Sequence, residues 1–91
     1  MFNATVIGNL GNDAEIRTGK ENKNFLTFSI AHNEKKGDDK VTRWIDCIYH
    51  KENMAEFLKK GKKVFVHGSV TIKEYNGRET ITINVKELEL L

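Results

Sequence analysis

Proline is absent from the 91 residues, and cysteine occurs once. The first absence rules out a proline-rich linker. The lone Cys47 cannot close an internal disulfide, which fits a reducing compartment, and the cytoplasm is the expected location. No apolar run approaches the roughly 20 residues a membrane helix needs, so no membrane partner is expected. The N-terminal MFNATVIGNL has neither a basic leader nor a cleavage site, and no export signal is expected. An excess of one charge is missing too, since fifteen basic against thirteen acidic residues leave +2. A polyanion must therefore be met by a local patch, not by the field of the whole chain. With 38% hydrophobic and 31% charged residues, the composition is that of a globular chain. The length suits one small domain over residues 1–91, short enough for a subunit interface to help it.

What is present reads as strands and turns. Short runs rich in Val, Ile, Phe and Thr cover Phe2 to Leu10, Asn24 to His32, Val41 to His50, Lys63 to Tyr75 and Arg78 to Leu88. Polar TGKENK precedes the second run. EKKGDDK, between the second and third, reads as a solvated loop. In the fourth, Val64, Val66, Val70 and Ile72 alternate with Phe65, His67, Thr71 and Lys73, so one face is apolar. Asn76-Gly77 then tolerates positive φ and predicts a tight hairpin. The fifth run puts Ile81, Ile83 and Val85 on one face. Only KENMAEFLKKG breaks the pattern: Met54, Phe57 and Leu58 recur at i, i+3 and i+4, the spacing of a helix face. Lys59 and Lys60 favour the negative end of its dipole, and Gly61 can close it. Five strands with one short helix between the third and fourth is the element order of an all-β, five-stranded OB-fold barrel, a fold that binds oligonucleotides or sugars, although order alone is shared by other small β barrels.

VIGNLGNDAEIR sets two glycines three apart directly after a strand. No Lys-Ser/Thr pair follows to make a phosphate loop, and no third glycine leads into a dinucleotide helix. Gly8 and Gly11 read as a strand end with a sharp bend, where a side chain would block close packing. Cys47 and His50 lie three apart on one strand and so point to opposite faces, which excludes a shared metal. His32 and His67 have no second ligand at metal spacing. No spacing singles out a pair of carboxylates for acid and base work. No catalytic residue, metal or cofactor is expected, and the chain does not read as an enzyme.

Aromatic and basic residues on outward positions carry more information. Trp44 shares strand parity with Asp46, Ile48 and His50, opposite to Ile45, Cys47 and Tyr49, which suit the core. Tyr75 shares parity with Lys73 and Thr71. Aromatics at polar-facing strand positions, near Lys35, Lys36, Arg43, Lys73 and Arg78, are what single-stranded nucleic acid needs: flat surfaces for bases and cations for phosphates. Interfaces also collect aromatics, so the same residues equally suit a barrel cap or a subunit contact.

IGNLGNDAEIR, TRWIDCIYHKENMAEFLKKGKKVFVHG and the closing NVKELELL together resemble the bacterial and phage single-stranded DNA-binding protein family, over nearly the whole chain. The resemblance implies a protein that coats single-stranded DNA in replication, recombination or repair, by stacking and phosphate contacts. It also implies a homo-oligomer, a tetramer more often than a dimer. The glycine segment would be the bend leaving the first OB strand, with Arg17 at its basic end. Trp44 and Tyr75 match stacking aromatics and Lys73 a basic position. Two positions depart from the family: His50 stands where phenylalanine or tryptophan is usual, and Lys36 where many members have an aromatic. The nucleic-acid-binding set expected from residues and resemblance together is Arg17, Lys35, Lys36, Trp44, His50, Lys73, Tyr75 and Arg78. Asp13-Ala14-Glu15 replaces the common Asp-Pro-Glu, a small loss of turn rigidity. Typical members carry a flexible linker and an acidic tip that recruits other proteins. No such tip stands within residues 1–91, so replication proteins are expected only as candidate partners, without recruitment through an acidic tail. The competing expectation is a primosomal-type interaction subunit whose OB surface meets protein.

Overall fold

The computed structural model describes residues 2–91. Its strands are β1 (Asn3–Leu10), β2 (Glu15–Thr18), β3 (Asn24–Lys36), β4 (Asp39–Tyr49), β5 (Lys63–Tyr75) and β6 (Arg78–Leu90). They form one sheet in the order β1-β5-β6-β4-β3-β2, and a further β1–β3 pairing, Asn9 to Ala31 and Leu10 to Ile30, closes it into a barrel. All neighbours are antiparallel except β4 and β6. β1 and β2 are two parts of one bent strand along the same side of β3. Leu10 faces Ile30 and Glu15 faces Thr27, so residues 11–14 span only the two places of Phe28 and Ser29. Counted in this way the architecture is the expected all-β, five-stranded OB-type barrel.

Alternation along the strands builds the core. Leu10, Leu26, Phe28, Ile30, Ile45, Cys47, Tyr49, Val64, Val66, Ile83 and Val85 point inward and are buried. Each fully buried aliphatic side chain among them contributes about 1.5–3 kcal/mol relative to exposure. Gly8 is buried against β3, where a methyl group would press into the carbonyl of Ala31. Among the described residues no helix is long and apolar enough to cross a membrane.

Three local expectations change. EKKGDDK is not a loop: β3 runs on to Lys36 and β4 begins at Asp39, with Glu34, Lys35 and Lys36 paired to Val41, Lys40 and Asp39. Only Gly37 and Asp38 turn, Gly37 at a φ of 59°. The helix between β4 and β5 is a 3-10 helix, Glu52–Phe57, too short to propagate as an α-helix. Its apolar stripe does not stay together: Leu58 is fully buried, Met54 half-buried and Phe57 exposed. Gly61 does close the segment at a φ of 88°, and its N–H donates to Leu10 O at 2.8 Å. Finally, Ile72 shares a face with Val66 yet is 49% exposed, because the β5–β6 hairpin runs beyond the barrel before turning at Asn76-Gly77.

Candidate nucleic-acid interface

Residues paired across a sheet share a face, so the register decides which of the expected site residues meet. On β4, Trp44 and Asp46 face Ala31 and Ser29 of β3, and Asp46 also faces Thr82 of β6. Thr82 faces Thr71 on β5, in line with Lys73 opposite Thr80 and Tyr75 opposite Arg78. Lys35 lies on the same side of β3 as Ala31, and Arg17 on β2 faces Phe25, which is in line with it. Arg17, Lys35, Trp44, Lys73, Tyr75 and Arg78 therefore share one outer face, and His50, just after β4, joins them through its ring contact with Phe25. Lys36 does not: it faces Asp39 on the opposite side of the β3–β4 hairpin, with Glu34 and Arg43, whose own ion pair is 3.2 Å.

Because β4 and β6 are parallel, both hairpin tips lie at one end of this face. There the charges sort by side. On the β5–β6 hairpin, Lys73, Tyr75 and Arg78 occupy the shared face, and Glu74 sits opposite Glu79 on the other. On the β3–β4 hairpin, Lys35 and Lys40 face each other directly on the shared face. Like charges so placed destabilise a strand pair, and an anion lying across them would reverse that. Tyr75 is 74% exposed and Trp44 58%, far more than packing requires of large aromatics.

Trp44 is nevertheless held. Gly11, at the bend, passes under its six-membered ring so closely that a methyl group at residue 11 would collide with Cζ3 and Cη2. Gly11 N–H donates to Ser29 O at 2.9 Å, which fixes the bend against β3. The glycine pair thus serves packing: Gly8 lets β1 approach β3, and Gly11 lets the strand turn under Trp44. At the far end of the face the rings of His50 and Phe25 lie 5.9 Å apart and tilted by 49°. Arg17 Nη2 contacts Glu15 Oε2 at 2.8 Å, both side chains being well exposed, so this pair adds little stability and is free to open. Between Trp44 and His50 runs a groove of about 400 Å³, lined by Asn12, Glu15, Arg17, Ser29, Asp46 and Thr82 among others.

Phe25, Lys40 and the groove also lie on this face and stand outside the set expected from the sequence. Phe25 was readable from parity, being opposite to Leu26, Phe28 and Ile30 in NFLTFSI. Lys40 has the parity of Trp44, but EKKGDDK carries no apolar alternation to mark it as a strand. The groove draws on separate strands and leaves no spacing signal. Cys47 faces the core; burial, with a smaller push from the neighbouring Asp46 carboxylate, raises its thiol to about 12, so it stays protonated at neutral pH and is a poor nucleophile. His32 Nδ1 is 3.4 Å from Ile7 O, and His67 Nδ1 is 2.7 Å from Thr5 Oγ1. Neither histidine belongs to a metal-holding group among the described residues.

The sequence matches the single-strand binding protein family over residues 1–91. It is 33% identical to Single-stranded DNA-binding protein 1 of Xylella fastidiosa, over 94% of this chain and 74% of that protein. It is 34% identical to the Single-stranded DNA-binding protein of Borreliella burgdorferi, over 80% of this chain and 54% of that one. With Single-stranded DNA-binding protein 2 of Streptomyces coelicolor it shares 30% identity, over 94% of this chain and 48% of the relative. The chain thus spans from about half to three quarters of the length of these relatives.

Proposed function

Because the chain belongs to the single-strand binding protein family, we propose that it coats single-stranded DNA with little overall sequence preference and shields it during replication, recombination or repair. The observation that carries this reading is that the shared face of the two hairpins, from Trp44 and Lys73 outward to their tips, holds cations and bare aromatics and none of the strand acids there, since Glu34, Asp39, Glu74 and Glu79 all lie on the other side, with Lys36 and Arg43 among them. A base offers a π-face to an exposed ring and its phosphate a charge to the neighbouring cation. Bases stack on Trp44 and Tyr75, with His50 beside Phe25 as a smaller platform. Arg17, Lys35, Lys73 and Arg78 meet phosphates, joined by Lys40. Lys36 reaches one only where the strand wraps over the hairpin edge. Nothing in this action makes or breaks a bond, so the protein works as a binding protein and not as an enzyme. Duplex DNA competes poorly, because its bases are already stacked on one another.

Trp44 is the only tryptophan, so its emission reports the contact directly. Titration with a thymidine oligonucleotide is expected to quench it, and duplex DNA is not. Four to five phosphate contacts predict a log–log salt slope of about −3, so that doubling the salt lowers affinity roughly eightfold. No binding by fluorescence and by anisotropy of a labelled strand would end the coating reading and turn attention to protein partners.

Assembly belongs to the same reading. Asn3–Gly8 of β1 pair with β5 alone among the described strands, which leaves one edge of backbone donors and acceptors open. Such an edge invites a second chain, and Ile7 and Phe2, 47% and 61% exposed, add apolar surface along it. A tetramer of this chain is favoured over a dimer. Light scattering is expected to give a native mass four times the 10.4 kDa of one chain; a monomer mass would sink the idea.

A further inference from the structure

We propose that the groove beside Trp44 takes one base of the bound strand and prefers guanine, with the Asp46 carboxylate accepting from the N1–H and 2-amino groups of its Watson–Crick edge. The inference rests on the single-strand reading and adds a specificity to it. Asp46 stands two residues from Trp44 on the same face of β4, about 7 Å along the strand. It is exposed and has no ion-pair partner among the described residues. Its one hydrogen bond is from Ser29 Oγ to Oδ1 at 3.0 Å, which leaves Oδ2 open among those residues and orients the carboxylate.

An acid in the path of a polyanion needs a reason. The groove holds Glu15 and Asp46 against Arg17, a balance of −1, and the Arg17 guanidinium is already paired with Glu15 at 2.8 Å. Around Asp46 phosphates are repelled; they are met by Arg17 from the β2 edge, where its side chain is well exposed, and by the cations at the hairpin tips. What enters must be the uncharged part of a nucleotide, and its edge must donate, because an ionised carboxylate only accepts. Guanine alone presents two adjacent donors, which match the two carboxylate oxygens. Cytosine and adenine offer one exocyclic amine each. Thymine offers one N–H flanked by two carbonyls that the carboxylate repels. Half-buried Ile48 and Thr27 give the base an apolar wall, and Thr82 and Asn12 add neutral polar groups around it.

The test compares a short thymidine oligonucleotide with the same strand carrying one central guanosine, read by anisotropy. The guanosine strand is expected to bind about tenfold more tightly, the usual scale for a bidentate base contact. Inosine at that position keeps N1–H and lacks the 2-amino group, so its strand is expected to fall in between. Asp46→Asn is expected to abolish the difference between the guanosine and thymidine strands. Equal binding of the two strands by the parent protein, or a preference that survives Asp46→Asn, would overturn the proposal and leave coating intact. If the parent bound no strand at all, the coating reading itself would fall first.

Discussion

A protein carrying both Trp44→Ala and Tyr75→Ala is expected to bind a thymidine oligonucleotide about a thousandfold more weakly than the parent. Each stacked base is worth about 1–3 kcal/mol. Two platforms at about 2 kcal/mol each come to about 4, or nearly three decades in Kd. The two rings sit on different hairpins, on β4 and at the tip of β5, so their losses should add. Anisotropy of a labelled strand is the right readout, because the variant has lost its only tryptophan. The salt slope distinguishes this loss from damage to the electrostatics. Stacking releases no counterions, so the slope of the double variant should match the parent's while the whole line drops. Both side chains are largely exposed, and their removal should leave the barrel folded. A loss of less than about threefold would mean that Trp44 and Tyr75 serve another contact, such as a subunit interface.

That these two rings could be chosen from the sequence at all is a consequence of strand parity. Once Ile45, Cys47 and Tyr49 are assigned to the core, Trp44 and His50 have nowhere to point but out, and the same holds for Tyr75 against Val70. Burial of Ile45, Cys47 and Tyr49 agrees with that assignment. Parity fails where the chain stops obeying one period. β2 was unreadable because EIRT is four residues long and exposed throughout, so no apolar alternation marks it. The charged EKKGDDK carries its strands through cross-strand pairing and a two-residue turn, neither of which hydrophobicity records. Lys36 shows the result, since one step along β3 from Lys35 moves its side chain to the other face. The groove is less legible still. Asn12, Glu15, Ser29, Asp46 and Thr82 come together only because β2, β3, β4 and β6 lie side by side around the bend at Gly11.

Leu58→Ala is expected to destabilise the fold by about 3 kcal/mol, the middle of the range for a leucine truncated in a core. Leu58 is fully buried at the end of the 3-10 helix, where nothing next to it in sequence shares its burial. Its carbonyl accepts from Ala14 N–H at 2.9 Å, and Leu10 N–H donates to Lys62 O at 2.9 Å. The segment from Leu58 to Lys62 is thereby tied to both sides of the bend that supports Trp44. A hole left by Leu58 would loosen the bend and the segment from Leu58 to Lys62 together. For a domain of this length such a loss lowers Tm by on the order of 20 °C, and it is a large share of the roughly 5–15 kcal/mol that a small fold has to lose. The neighbouring Phe57→Ala gives the contrast. In an α-helix Phe57 and Leu58 would lie about 100° apart, flanking Met54 within one apolar stripe, and both truncations would then be costly. In the 3-10 helix Phe57 is 48% exposed, so Phe57→Ala should change stability by less than about 1 kcal/mol. Thermal unfolding of the two variants at one protein concentration separates the geometries, since assembly would otherwise shift both midpoints. If Phe57→Ala proved the more damaging, the helix would have to present its other side to the barrel, and Leu58 could not be the side chain that anchors it in the core.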